Sequence, residues 1–145
     1  MNGPLPGEAH ARFKVCSQHD VFAARQAVGR AMRELGAGEL ECARLVTAAS
    51  EIFRNAIVHA EGAQVSIHVD RLARQVWVDC QDRGPGIADL ARVFVDGYTT
   101  AGGMGRGLGG ARRLADTFEI ESMPGHGTHV RFRSVCRPAR PREIG

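Results

Sequence analysis

One segment of the sequence places a carboxylate, an amide and an imidazole on the same side of a predicted helix. Glu51, Asn55 and His59 are spaced i, i+4 and i+8, so in a helix they form one polar stripe. The residues beside them are mostly apolar and asparagine is a poor helix former, which disfavours a merely solvated face. A carboxylate one turn from an amide oxygen can polarise a nucleophile and ligate a hard cation such as Mg²⁺. The stripe is therefore a candidate catalytic site, with a solvent-exposed helix face as the alternative.

A second candidate is the turn that follows a predicted strand. Asp82 is followed closely by Gly84, Pro85 and Gly86, and this composition is sufficient for a tight turn without any ligand. So little side-chain bulk also allows a flat ring to approach the backbone. The Asp82 carboxylate could then accept a hydrogen bond from an exocyclic amine such as that of adenine.

A third candidate is a glycine-dense segment that leads into a predicted helix. It has six glycines in the nine residues from Gly102 to Gly110. Successive backbone N–H groups at a helix N-terminus form an anion site, so the segment could bind phosphate. Its spacing also matches the dinucleotide fingerprint, but that fingerprint requires a preceding strand and here a polar loop precedes it. A flexible linker is the alternative, weakened because an amphipathic helix follows directly.

The fourth candidate is a short turn between two predicted strands, Gly125-His126-Gly127-Thr128. One interpretation is a simple hairpin connection. In the other, the Thr128 hydroxyl beside two glycines donates a hydrogen bond to a phosphate.

Hydrophobic periodicity predicts the elements that must hold these residues. The helices expected from a 3.6-residue period are 20–35, capped by Asp20, 39–60 and 108–116. The strands expected from alternation are 12–16, 65–69, 76–80, 118–122 and 128–135. The connections expected between them are a turn at 82–86, a short helix near 89–95 and a glycine-dense loop at 97–110. This order predicts an α+β sandwich with helices on one face of a mixed, mostly antiparallel sheet.

Composition and charge exclude several classes of function. The 145 residues fit one domain, with residues 1–10 expected to be a flexible leader, 11–136 the folded domain and 137–145 a flexible Pro/Arg tail. The net charge is +3, and the tail, with three arginines against one glutamate, carries +2 of it. Residues 1–136 therefore lack the strongly positive charge that is typical of a nucleic-acid-binding domain. Lys14 is the only lysine, which excludes a Walker-A loop. Without a membrane-length apolar run or a secretory signal, a cytoplasmic protein with no membrane partner is expected.

In chain order, the four candidate segments resemble the motifs of the GHKL (Bergerat-fold) ATPases, the family of gyrase, histidine kinases and MutL. Residues 51–59 resemble the N box, 82–86 the first glycine box, 105–109 the second glycine box and 125–128 the closing Gly–Thr element. Within this family the chain is most similar to the small anti-sigma-factor-type serine/threonine kinases of the RsbT type. The resemblance implies a Bergerat-type α/β sandwich.

The resemblance also implies that ATP and Mg²⁺ are bound, and it gives each motif a role. Glu51 would be the general base or orienting carboxylate for the accepting hydroxyl, and Asn55 would ligate Mg²⁺. Asp82 would hold the adenine amine, with Thr128 assisting through a water. Arg106 is bulkier than the family's usual residue and would either clamp a phosphate or obstruct the loop. The remaining residues implied in nucleotide binding are Gly84, Gly86, Gly103, Gly105, Gly107, Leu108 and Gly109.

The implied function is an ATP-dependent serine/threonine protein kinase of a bacterial partner-switching pathway. Its acceptor would be a STAS-domain antagonist, and the released kinase would bind and activate a second partner, a phosphatase, a regulator or a sigma factor. One alternative is a non-catalytic nucleotide-binding switch or anti-sigma factor. Another is a detached histidine-kinase ATPase domain, disfavoured because a phosphoacceptor-histidine helix pair is expected to precede such a domain.

Partner binding has its own candidate surface. The first predicted helix carries Arg25, Arg30 and Arg33 on top of an apolar face. Such a helix is ordinarily a core element with solvated arginines, and the alternative is that these arginines receive an acidic partner.

Overall fold

Five strands and three helices make up the described part of the chain, residues 3–89 and 105–137 of a computed structural model. In chain order they are β1 (Glu8–Val15), α1 (Gln18–Glu34), α2 (Glu39–Ala60), β2 (Ala63–Asp70), β3 (Gln75–Gln81), α3 (Gly105–Leu114), β4 (Thr117–Met123) and β5 (Gly127–Val135). The short helix expected near 89–95 falls outside the described residues apart from residue 89, and so does the 97–104 part of the loop expected at 97–110.

The strands form one sheet in the order β1-β2-β3-β5-β4. Side chains alternate between its faces, so that on β2 Val65 and Ile67 are buried while Ser66 and His68 lie on the opposite face. The expected α+β class is confirmed. Among the described residues every strand pair is antiparallel, so the sheet is not mixed as expected. Because β5 runs back between β3 and β4, the end of β3 lies beside the start of β5.

The helices form a layer on one face of the sheet. α1 and α2 pack against each other and against the strands, and α3 packs against α2. Side chains from both layers meet in one apolar core, in which Met32, Leu45, Phe53, Ile67 and Phe132 are among the largest fully buried residues. α2 has the bounds that its apolar periodicity predicts, 39–60.

The first helix begins earlier than predicted. Ser17, not Asp20, is its N-cap, and the backbone N–H of Asp20 donates to Ser17 Oγ at 3.2 Å. Asp20 Oδ2 in return accepts the backbone N–H of Ser17 at 3.2 Å and that of Cys16 at 2.9 Å. Asp20 is therefore the N3 residue of a capping box, and the helix starts at Gln18.

The third helix also begins earlier than predicted. It spans Gly105–Leu114 instead of 108–116, so the second glycine box lies in its first turns and not in a loop. Glycine is a poor helix former, but Leu108 and Ala111 are buried against the core, and such packing supplies most of a short helix's stability in a protein.

The N-terminal strand extends into the segment expected to be a flexible leader. β1 begins at Glu8, four residues before the expected start at 12. Ahead of it, Leu5 is only 8% exposed, and the carbonyl of Gly3 accepts a hydrogen bond from Arg131 Nη2 at 3.0 Å. Arg131 lies on the face of the sheet opposite the helices, so residues 3–7 run across that face.

Candidate functional site

Helix α2 holds the polar stripe that the sequence predicts. Ile52, Phe53 and Ala56 are buried and fix the rotation of the helix about its axis. As a result Glu51 and Asn55 are half-buried beside the core, while His59, one turn further on, is exposed. The stripe therefore lies along the edge of the helix layer, open to solvent at its C-terminal end.

Glu51 lies between its own helix and the start of α3. Its Oε1 pairs with Arg54 Nη1 at 3.4 Å. Its Oε2 faces Gly107, where a Cβ would come within 3.0 Å of that oxygen. The first N–H groups of a helix lack intrahelical partners and carry a partial positive charge. The carboxylate thus sits beside a ready anion-binding helix end.

Asp82 ties the end of β3 to the start of β5. Its Oδ1 accepts two backbone N–H groups, from Gly84 at 2.9 Å and from Thr128 at 3.0 Å. The backbone N–H of Asp82 donates in turn to the Thr128 carbonyl at 2.9 Å. Within residues 3–89 and 105–137, Asp82 Oδ2 has no hydrogen-bond partner. One oxygen of this carboxylate is therefore fixed by the fold, and the other makes no hydrogen bond to the described residues.

The closing Gly–Thr element fits tightly against the first glycine box. Gly127 has a φ of +83°, and a Cβ there would come within 2.2 Å of the Asp82 carbonyl oxygen. Gly86 has a φ of +76°, and a Cβ there would come within 2.1 Å of the Met123 carbonyl oxygen. Both positions require glycine, because the left-handed conformation and the close backbone approach exclude a side chain. The segments 82–87 and 123–128 therefore form one unit.

Ser122, which is absent from the residues that the sequence predicts, fastens this unit. Its Oγ accepts the backbone N–H of Ile87 at 2.6 Å and lies 2.8 Å from Thr128 Oγ1 and 3.2 Å from the Gly127 carbonyl oxygen. A signal is present in the sequence: Ser122 is a polar residue at an inward-facing position of β4, in register with Thr128. A polar side chain on a core face requires hydrogen-bond partners.

The unit meets α2 near the end of the polar stripe. A Cβ at Gly84 would come within 2.4 Å of Ala60 Cβ, so this turn packs directly on the last turn of the helix. Glu51 and Ala60 are nine residues apart, about 13 Å along the helix axis. α2 therefore carries the Asp82 region at its C-terminal end and the start of α3 near its middle.

A cavity opens at the edge of the sheet where β3 and β4 end and β5 begins. Its volume is about 550 Å³, within the range of small-molecule sites. Asp82, Ser122 and Thr128 contribute to its lining, together with His126 and Ile120. The carboxylate and two hydroxyls give this cavity the few fixed polar groups that orient a ligand.

The remaining predicted site residues are placed as follows. Gly105 and Gly107 lie in the first turn of α3, and Gly109 follows in the next turn. Leu108 belongs to the same helix, and its side chain is buried in the core at 2% exposure. Gly103 and the side chain of Arg106 fall outside the described residues.

Two ionisable groups near Asp82 have shifted pKa values. Burial, followed by the charges of Asp82 and Asp79, raises the pKa of the Cys80 thiol, which is therefore protonated and unsuited to act as a nucleophile. Burial raises the pKa of Asp79 as well, but the His129 hydrogen bond at 2.6 Å and Arg131 at 3.0 Å outweigh it, so that this pKa lies below its usual range. Asp79 therefore remains a carboxylate that pairs with these side chains.

Mg²⁺ suits the oxygen donors that the site offers. In the described part of the chain, no three His, Cys, Asp or Glu side chains are grouped to hold a metal by themselves. Mg²⁺ is usually held by one or two protein oxygens plus the phosphates of a nucleotide. The Asn55 amide oxygen fits the protein share of that set.

Across residues 3–89 and 105–137, no helix combines the length and apolar character that crossing a membrane requires.

Comparisons with known proteins agree with this geometry. Residues 41–137 match the family model described as "Histidine kinase-, DNA gyrase B-, and HSP90-like ATPase", and the chain belongs to this family. Over 119 residues it is 39% identical to the serine/threonine-protein kinase RsbT of Bacillus subtilis (strain 168), covering 81% of this chain and 90% of that protein.

Two further relatives extend the comparison. Over 138 residues the chain is 32% identical to the anti-sigma F factor of Pasteuria penetrans, covering 88% of this chain and 90% of that protein. A solved structure of RsbU and RsbW domains from Mycobacterium tuberculosis has a TM-score of 0.60 at 21% identity. The match covers 90% of this chain and 34% of that one, and at this identity it supports the fold alone.

Proposed function

We propose that this chain is an ATP-dependent protein serine/threonine kinase of a bacterial partner-switching pathway, and that it phosphorylates a STAS-domain antagonist. One observation carries the proposal. Asp82, a carboxylate with one oxygen fixed and the other without a partner among the described residues, lies at the C-terminal end of α2, and a second carboxylate, Glu51, faces the start of α3 from the middle of the same helix. A nucleotide needs one site for its base and another for its phosphates, and α2 lies beside both of these candidates.

The base site discriminates by hydrogen-bond polarity. The available oxygen of Asp82 accepts from the exocyclic amine of adenine. The carbonyl of guanine at the same place is an acceptor that faces a carboxylate, so GTP binds more weakly than ATP. The 39% identity to a serine/threonine-protein kinase supports ATP as the phosphoryl donor.

The phosphates lie at the start of α3 in this proposal. The first backbone N–H groups of the helix, at Gly105 and Gly107, donate to phosphate oxygens, and Asn55 holds the Mg²⁺ that accompanies them. No lysine is needed, because phosphoryl transfer depends mainly on positioning and on charge stabilisation. Mg²⁺, when bound, offsets the negative charge on the phosphates.

Glu51 acts on the acceptor. Its carboxylate accepts the proton of the serine or threonine hydroxyl as the new bond from oxygen to the γ-phosphorus forms. The bond from the γ-phosphorus to the bridging oxygen breaks, and ADP leaves with that oxygen. Arg54 pairs with Oε1 at 3.4 Å, which leaves Oε2, the oxygen that faces Gly107, for the acceptor hydroxyl.

The partner surface in this proposal is the outer side of α1. Phe22 is 57% exposed there, and a groove of about 140 Å³ runs past Arg25, Gly29 and Arg33. The two arginines along this groove give it positive charge, which favours an acidic partner.

Charge reversal tests this surface. Because charges at an interface rim mainly affect association, Arg25→Glu with Arg30→Glu is expected to slow binding to the partner at low salt, with nucleotide affinity unchanged. Arg12→Glu with Lys14→Glu makes the same change of four charges on the opposite face of the sheet and is the matched control. Surface plasmon resonance decides between them: an association rate equal to that of the control places the interface elsewhere.

A second candidate function is a nucleotide-dependent anti-sigma factor without kinase activity, which the 32% identity to an anti-sigma F factor favours. One experiment separates the two functions. The chain is incubated with Mg²⁺, γ-labelled ATP and STAS-domain proteins, and the label is mapped by mass spectrometry. Phosphoserine or phosphothreonine on a STAS protein supports the kinase, while tight nucleotide-dependent binding of a sigma factor without transfer supports the second candidate.

A further inference from the structure

We infer that Ser122 is a positioning residue that determines nucleobase specificity, because it fixes the direction in which the Thr128 hydroxyl donates its proton. The inference rests on the proposed nucleotide site and adds to it a residue that no motif contains. The Ser122 hydroxyl has one proton, and more than one neighbouring atom can accept it.

Ser122 has three polar neighbours and one proton. The backbone N–H of Ile87, at 2.6 Å, can only donate, so it takes one of the two lone pairs of Ser122 Oγ. The Gly127 carbonyl oxygen, at 3.2 Å, can only accept, whereas Thr128 Oγ1, at 2.8 Å, can donate or accept. The Ser122 proton therefore goes either to Gly127 or to Thr128.

The two choices give Thr128 opposite hydrogen-bond polarity. If Ser122 donates to Gly127, Thr128 must donate to Ser122 and offers only lone pairs to a ligand. If Ser122 donates to Thr128, the Thr128 proton is free to be donated into the cavity. Hydroxyl hydrogen bonds are usually about 2.5–3.0 Å long. The bond to Gly127 is longer than this, so giving it up costs little and the second arrangement is favoured.

The second arrangement matches the edge of adenine. The available oxygen of Asp82 accepts from the exocyclic amine, and Thr128 donates, directly or through one water, to the neighbouring ring nitrogen. Guanine presents the reverse pattern, a carbonyl acceptor and a ring N–H donor. The chain of hydroxyls from Ser122 to Thr128 to the ring thus runs in one direction, and each bond in such a chain strengthens the next.

The burial of Thr128 makes this direction depend on Ser122. Thr128 is only 8% exposed, so bulk water has little access to its hydroxyl. Among the residues that the structure describes, Ser122 Oγ lies 2.8 Å from this hydroxyl and can supply a proton to it. Without the Ser122 hydroxyl, Thr128 can rotate to accept as readily as to donate, and adenine loses the part of its advantage that comes from Thr128.

A double-mutant cycle tests the inference. The affinities of Mg·ATP and Mg·GTP are measured by calorimetry for the wild-type chain, Ser122→Ala, Thr128→Val and the double variant. Ser122→Ala is expected to lower the ratio of ATP to GTP affinity by about fivefold to tenfold, the loss expected for one neutral hydrogen bond. In the Thr128→Val background the same substitution is expected to leave the ratio unchanged, since no hydroxyl remains to be oriented.

Several outcomes overturn the inference. A wild-type ratio in Ser122→Ala does so, since a merely structural role, through the Ile87 contact, weakens both nucleotides equally. An equal fall of the ratio with and without the Thr128 hydroxyl does so as well, because the effect then does not pass through that hydroxyl. If Ser122→Ala does not fold, Ser122→Cys serves instead, because a thiol has nearly the same shape but is a weak donor, and its ratio is expected to fall as well. A wild-type chain that binds ATP without preference contradicts the nucleotide site itself, which is a different failure.

Discussion

Replacing Asp82 by asparagine separates the fold of the turn from recognition of the base. In the wild type, Asp82 Oδ1 accepts the N–H groups of Gly84 at 2.9 Å and Thr128 at 3.0 Å. An asparagine amide oxygen can accept both, and the two donors orient the amide with its oxygen toward them. An NH₂ group then replaces the available oxygen, so that a donor faces the ligand where an acceptor stood.

The expected magnitude follows from the bond that is lost. ATP affinity is expected to fall by about 1–3 kcal/mol, roughly fivefold to 150-fold, which is the cost of losing one partner of a hydrogen bond to a charged group. GTP affinity is expected to fall less or to rise, because the new NH₂ group can donate to the guanine carbonyl. The free energy of unfolding is expected to change by less than about 0.5 kcal/mol, since the fold-side bonds persist.

Asp82→Ala is the contrasting variant. It leaves the backbone N–H groups of Gly84 and Thr128 without their acceptor, at a cost of about 1–3 kcal/mol for each group that stays buried and unsatisfied. It is therefore expected to lose stability as well as affinity. Titration calorimetry with Mg·ATP and Mg·GTP, together with urea unfolding, measures both quantities. Wild-type ATP affinity in Asp82→Asn, or equal ATP and GTP affinity in the unmodified chain, refutes the role given to Asp82.

Three further predictions concern catalysis, packing and pH. Glu51→Gln is expected to reduce phosphotransfer in a single-turnover assay by about 10²–10⁴-fold with little change in nucleotide affinity, and a wild-type rate contradicts its role. Gly127→Ala is expected to destabilise the protein to urea by about 1–3 kcal/mol more than Gly125→Ala, since both have left-handed φ but only a Cβ at Gly127 would strike backbone; equal losses contradict this. Burial, and next the charge of Arg12, lowers the pKa of His68. The melting temperature is therefore expected to fall as the pH drops below about 6.5, where the unfolded chain takes up a proton that the folded chain does not, and to fall less in His68→Gln.

The local features of the fold could be predicted from the sequence. The apolar spacing of α2 gave its bounds, because a long amphipathic helix repeats its signal over several turns. The alternation of β2 and β3 gave two antiparallel strands joined by a short turn. The start of α1 was missed because Ser17 and Asp20 are both good caps, and only the reciprocal bonds between them decide which one is the N-cap.

The contacts that build the site could not be predicted, because they join residues far apart in the chain. Asp82 and Thr128 are separated by 46 residues, and Ser122 and Ile87 by 35. Periodicity carries no record of such pairs, which depend on β5 running between β3 and β4. Gly107 lies against Glu51 for a similar reason, since it depends on how α3 packs on α2.

The central claim is that the four segments form a single nucleotide site, with the base at Asp82 and the phosphates beside Glu51. A crystal structure of the chain with Mg²⁺ and a non-hydrolysable ATP analogue tests this claim most directly. In that structure the adenine amine is expected to lie within hydrogen-bond distance of Asp82 Oδ2, and the triphosphate is expected at the N-terminus of α3, near Gly107. A nucleotide bound elsewhere, or bound there with its base away from Asp82, would contradict it.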